Sequence, residues 1–265
     1  MAAPPSRDRT ALLPLAIVAV ALGLRLWGVD FGLPDAEARP DELTIAYQAM
    51  KFGTGDLNPH SFNYPSVHKY VTFVLFGGWY LVGKLTGQYP DQHAFLLDFF
   101  NGAVDFRLLM RGWSVTMGTL GVALLLRAPG GRWGAALLAV TFLHVRDSHF
   151  GVTDITMVTL ATASVLGALG ALETPSLRRL FFASALAGLA TSTKYNAGLL
   201  CVPLAIAAGS PRRVGMAALV MVGAFLVGTP YAALDARTFW TDFRFEVPTS
   251  ARGSMSPSAT AGSTT

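Results

Sequence analysis

The stretch VHKYVTFVLFGGWYLVGKL, Val67 to Leu85, decides how the chain is threaded. It approaches the roughly 20 apolar residues needed to cross a bilayer core. Yet it carries His68 and Lys69 at one end, Lys84 at the other and Gly77-Gly78 in its middle. Those residues suit a segment that lies in the interface or dips into it, and are awkward in a plain span. Every later crossing takes its direction from this choice. If the stretch crosses, the next arginine connection falls outside and His144 to Asp154 falls inside.

Other apolar runs cover Ala11–Trp27, Leu108–Leu126, Trp133–Phe150, Ile155–Leu172, Leu180–Thr191, Ala197–Ala208 and Val214–Tyr231. Arginines gather in three short connections, Arg127/Arg132, Arg178/Arg179 and Arg212/Arg213, and Arg7 and Arg9 precede the first run. The positive-inside rule places all of them in the cytoplasm. One arrangement does so: Val67–Leu85 stays on one side, the two short runs flanking Lys194 form a hairpin, and seven spans result. Residues 30–107 then form an outer loop rich in acids, among them Asp30, Asp35, Asp56, Asp91, Asp98 and Asp105. A cleaved signal peptide is the rival for the first run, but the nearby small-x-small site, Ala36-Glu37-Ala38, lies too far downstream.

Composition agrees with a bilayer environment. Of 265 residues, 52% are hydrophobic and 14% charged, with a mean hydropathy of +0.46, which excludes an ordinary soluble enzyme. The lone Cys201 excludes a disulfide framework and a thiolate metal cluster. A net charge of +4 without a clustered basic face argues against a nucleic-acid partner. Helical apolar patterning dominates, so the expected fold is an all-α polytopic membrane protein. Residues 1–231 form the transmembrane module, and 232–265 an extracytoplasmic, largely disordered tail, Ser/Thr-rich from Thr249.

Candidate chemistry collects in the loops. Pro40-Asp41-Glu42 opens an amphipathic helix whose apolar positions are Leu43, Ala46, Tyr47 and Met50. A carboxylate there serves as a general base or, alternatively, as a helix cap. His68-Lys69 suits a phosphate or an interfacial anchor. The densest cluster, His144-Val-Arg146-Asp147-Ser-His149-Phe150-Gly151-Val-Thr-Asp154, pairs Arg146 with Asp147 or Asp154, or is a solvated turn with Asp154 as cap. Lys194 interrupts two apolar halves and either meets a lipid-linked phosphate or snorkels. Arg107 and Arg111 are further anion partners. The two histidines of the cluster match no standard zinc spacing. In the seven-span topology Asp41/Glu42, His68/Lys69, Arg107/Arg111, Arg146–Asp154 and Lys194 share one outer face. Carboxylates and cations so gathered suit a transferase with a phosphate-linked, membrane-delivered donor.

Leu24-Arg25-Leu26-Trp27-Gly28, Arg39-Pro40-Asp41-Glu42, Tyr64-Pro65, His144-Val145-Arg146-Asp147-Ser148-His149-Phe150 with Asp154, and Thr193-Lys194-Tyr195-Asn196 together resemble the bacterial dolichyl-phosphate-mannose-protein mannosyltransferase-like family. That family is grouped in the GT-C superfamily with protein O-mannosyltransferases and the lipid A aminoarabinose transferase, and the resemblance runs over about residues 11–235. It implies a seven-span module with juxtamembrane helices in the first outer loop. It also implies an inverting glycosyltransferase of the bacterial cytoplasmic membrane, active site outward, that moves a sugar from a polyprenyl-phosphate donor to a hydroxyl of a protein, lipid or glycan acceptor. Carried over residue by residue, Asp41 is the catalytic base with Glu42 beside it, Asp154 lines the same cavity, and Lys194 lies near the lipid phosphate. Arg146, Arg111 and Lys69 complete the expected phosphate-binding set. A divalent metal stays open as a cofactor, although Asn63-Tyr64-Pro65 stands where the aminoarabinose enzyme has an acidic residue, which argues against a metal site there. Relatives are longer, so the chain reads as truncated; the alternatives are a transporter or lipid-binding membrane protein, or an inactive fragment.

Overall fold

The computed structural model describes residues 7–35, 38–102 and 104–251, and every regular element among them is helical. In order these are α1 (Arg7–Leu26), α2 (Pro40–Lys51), α3 (Val67–Thr86), α4 (Gln92–Asn101), α5 (Val104–Leu125), α6 (Gly131–Val140), α7 (Phe142–Asp147), α8 (Thr153–Glu173), α9 (Leu177–Thr191), α10 (Cys201–Ala208), α11 (Pro211–Gly228), α12 (Tyr231–Leu234) and α13 (Ala236–Ala251). A 3-10 helix, Tyr195–Leu200, leads into α10. Local chemistry sets several boundaries. Pro40 and Pro211 open α2 and α11, where the missing N–H costs nothing. Asp91 and Ser176 cap α4 and α9 through Ala94 N and Arg179 N. Gly87 and Gly209 end α3 and α10 in the left-handed region.

Three helices, α5, α8 and α11, are long and apolar enough to cross a membrane, and the stretches 12–26 and 195–208 are shorter apolar helices. Leu137, Phe142, Leu199, Ile206, Leu219 and Val227 stay exposed on the outside of the bundle, as expected of helices whose solvent is lipid. Between α8, α9, α10 and α11 the contact is made by Ala168, Ala171, Ala183, Ala187 and Ala217 with Leu180 and Leu204. Small residues let backbones approach, and van der Waals contact then drives association in a bilayer. A second cluster, aromatic instead, joins α2, α3, α4 and the start of α5 through Ile45, Phe76, Phe95, Phe99, Phe106 and Met110.

Helix polarity sorts the polar residues. Val67 N donates to Ser192 O, Ser66 N to the Thr229 hydroxyl, and Arg111 to Val29 O and Phe31 O. These bonds gather the start of α3, the ends of α9 and α11, the exit of α1 and the first half of α5 at one end of the bundle. The loops carrying Arg127/Arg132, Arg178/Arg179 and Arg212/Arg213 lie at the far ends of α5, α8 and α10. From Asp154 to Glu173, α8 rises 1.5 Å per residue and covers about 30 Å. The arginine connections and the polar clusters therefore occupy opposite ends.

Two sequence expectations differ from the structure. The buried face of α2 is Glu42, Ile45, Ala46 and Ala49, one residue out of phase with the stripe read from Leu43, because a buried arginine draws Glu42 inward. Residues 232–251 continue as α12 and α13. Phe239 and Phe243, one turn apart, seat α13 on Phe62 and Tyr195 with ring centroids 5.5 Å and 5.0 Å away. Asp242 accepts from Phe62 N at 2.8 Å and Asp235 from the Asn58 amide at 2.9 Å. The rest of the Ser/Thr-rich tail, 252–265, lies outside the described residues.

Candidate active site

Three carboxylates at the polar end meet three different fates. Glu42 is 1% exposed and is gripped side-on by Arg111, Nε to Oε1 at 2.9 Å and Nη2 to Oε2 at 2.7 Å. Gly151 N donates to the same Oε1 at 2.5 Å. The remaining Arg111 donor bonds Val29 O and Phe31 O, both at 2.8 Å. Both partners are thus saturated, as a buried ion pair must be. A side chain at Gly151 would collide with Met110 of α5, so only glycine brings that N–H to Glu42.

Asp154 lies in the first turn of α8, whose N-cap is Val152 with no side-chain cap bond. Its carboxylate is therefore free of capping, and Oδ1 accepts from Lys194 Nζ at 2.6 Å. Side chains on both sides of this pair are about a third exposed, 31% and 28%. Lys194 is the N-cap of the 3-10 helix after α9, so a helix break on one side and a helix start on the other set the pair at the polar end of the bundle.

Asp41 is the open carboxylate. Its side chain is 46% exposed, and the N-cap of α2 is Arg39, with no side-chain cap bond. The capping role considered for Asp41 is not taken up. Arg39 Nε stands 4.0 Å from Asp41 Oδ2, and its guanidinium lies over the Phe150 ring at 5.5 Å. Arg111 stands over the same ring at 5.3 Å. Phe150 therefore links the Asp41 end of α2 to the loop between α7 and α8, four residues before Asp154.

The cations proposed from sequence are not equally available. Arg111 is consumed by Glu42. Lys69 is 1% exposed and donates to Ser61 O at 2.6 Å. At the start of α3, which is not among the three helices long and apolar enough to cross a membrane, burial pushes His68 down to about 4 and Lys69 down to about 7, the latter opposed by Asp242. Arg146 reaches Asp147 at 2.7 Å with 47% of its side chain exposed, so of the two partners considered the structure selects Asp147. Arg107 donates to Pro34 O and Asp35 O. Among the described residues no three His, Cys, Asp or Glu side chains are grouped to hold a metal ion.

Three residues that carry this arrangement went unassigned from sequence. Arg25, fully buried, donates to Ala21 O, Leu138 O and Ala139 O and to His144 Nδ1 at 2.8 Å. It binds the last carbonyls of α6 where the chain breaks before α7, and so aims α7 and its Arg146-Asp147 pair. Gly151 and Phe150 are the others. Arg25 in an apolar run was a visible signal, since a charge at bilayer depth needs partners; a single Phe or Gly carries none.

No curated protein and no solved structure matches the chain. The comparison with family models reaches from the second turn of α5 to α12, the segment that bears Arg111, Arg146, Asp154 and Lys194 but not Asp41 or Glu42: residues 108–233 match the dolichyl-phosphate-mannose-protein mannosyltransferase family, glycosyltransferases of the GT-C type.

Proposed function

We propose that the chain is an integral membrane glycosyltransferase that moves a sugar from a polyprenyl-phosphate donor to an acceptor hydroxyl at the outer face of the bacterial cytoplasmic membrane. Seven spans fit the architecture: α1, α5, the broken α6–α7 pair, α8, α9, the 3-10 helix with α10, and α11. Helices α2 to α4 then lie at the membrane surface, with α3 in the interface. The positive-inside rule sets the arginine end in the cytoplasm and the carboxylates outside.

The observation that carries the reading is the division between neighbours on α2. Glu42 has its oxygens occupied by Arg111 and Gly151, whereas Asp41 keeps an exposed carboxylate. Asp41 takes the proton of the acceptor hydroxyl as the oxygen attacks the anomeric carbon. The bond from that carbon to the donor phosphate oxygen breaks on the opposite face, and the polyprenyl phosphate leaves with the electron pair. Lys194, held by Asp154, supplies positive charge for the phosphate as it gains charge. Glu42 positions α2 through Arg111.

Removal of a well-placed general base costs about 10²–10⁴ in rate. Asp41→Asn in reconstituted vesicles is expected to lose turnover of a polyprenyl-phosphate sugar on that scale, with unfolding and vesicle incorporation unchanged. Turnover equal to that of the unsubstituted chain removes Asp41 from the role.

A further inference from the structure

Among the described residues, each cation around the base has a partner that occupies it, with one exception. Arg111 has all its bonding donors on Glu42 and two carbonyls, Lys69 is buried on Ser61 O, and Arg146 and Lys194 hold carboxylates. Arg39 differs. Among the described residues its guanidinium makes no hydrogen bond, and its contact with Asp41, at 4.0 Å, is at the limit of an ion pair. Its side chain is 30% exposed and is nevertheless held, because it lies over the Phe150 ring at 5.5 Å while Arg111 takes that ring at 5.3 Å. Phe150 is 8% exposed. A cation seated on a buried aromatic face keeps its orientation without using its N–H groups.

The geometry points to Arg39 as the residue that grips the donor phosphate, through the guanidinium N–H groups that Phe150 leaves unused, immediately beside Asp41. This rests on the transferase reading above and names the phosphate ligand within it. Lys194 supplies its charge from within an ion pair with Asp154, which leaves need of further positive charge at a phosphate that becomes more negative as the sugar departs. Arg39 adds that charge in a planar fork suited to two phosphate oxygens. Arg111 and Lys69, the cations the sequence suggested, serve the scaffold.

The test is equilibrium binding of sugar-free polyprenyl monophosphate to the full chain in nanodiscs of zwitterionic lipid, with inorganic phosphate measured in parallel. Loss of a bidentate charged contact is expected to weaken polyprenyl monophosphate by about 10–100-fold in Arg39→Gln. Arg39→Lys, which keeps the charge and loses the fork, should fall between. Phe150→Leu should lose several-fold, because the seat is gone, and it serves if Arg39→Gln does not fold. Equal affinity in Arg39→Gln overturns the assignment. So does inorganic phosphate bound as tightly as the lipid, which would make this a site for free anion. If the chain binds polyprenyl monophosphate through Arg39 yet transfers no sugar, the transferase reading fails and the ligand assignment stands.

Discussion

Glu42–Arg111 and Asp154–Lys194 are both ion pairs at the same end of the bundle, and they have opposite physics. The first is 1% and 0% exposed, and every oxygen and nitrogen in it is bonded. The second is about a third exposed on each side and is held by a single bond of 2.6 Å. A sealed pair is inseparable from the fold, since taking one partner leaves an uncompensated charge in a low-dielectric site. A partly exposed pair contributes little to stability and can exchange its partner for a ligand. Asp41 and Arg39 are neighbours in sequence to the sealed pair and share the exposure of the open one.

The largest effect expected from breaking this contrast is in Glu42→Ala. Arg111 would remain buried without its carboxylate, and a loss of about 3–5 kcal/mol is expected, read as early unfolding in detergent or as failure to accumulate. Near-normal stability would make the pair dispensable to the fold. Gly151→Ala comes next. Its new methyl meets Met110, and overpacking of this kind costs about 1–3 kcal/mol; loss of turnover together with stability would follow from the displaced N–H to Glu42.

Lys194→Ala should behave in the opposite way. Its stability should stay within about 1 kcal/mol of the unsubstituted chain, while the apparent KM for donor rises by more than kcat falls. A large loss of stability would erase the distinction between the two pairs. A further test concerns pH. Burial holds Lys69 at about 7 in the folded chain against 10.5 ordinarily, so between those values the unfolded chain carries the additional proton. Stability contributed by this site should therefore rise as pH is raised from about 7 toward 10, and Lys69→Met should flatten that slope in thermal unfolding measured across the range.

Much of the architecture was legible in one dimension because bilayer physics writes it there. Apolar runs, and arginine pairs placed so that all return to one side, carry the all-helical class and the separation of the arginines from the acid-rich clusters without any contact being known. The acids and bases that matter were legible as types, since a charge at bilayer depth needs a reason. Their employment was not. Asp41 and Glu42 are adjacent acids with the same helical neighbourhood, and the stripe read from Leu43 put the wrong face of α2 inward. Nor did Ser/Thr content in the tail announce that Phe239 and Phe243 extend the helices to Ala251.

The amino-acid sequence alone determined an all-helical membrane chain with its polar clusters at one end, because hydrophobic length and charge asymmetry are properties of segments taken singly. Which carboxylate is sealed and which stays open was decided only in three dimensions. That outcome depends on Arg111 sitting sixty-nine residues from Glu42 in sequence and 2.7 Å from it in space, and on a glycine that lets α5 approach the loop before α8. Burial and saturation of hydrogen bonds are collective properties of packed helices, so no residue read by itself could disclose them.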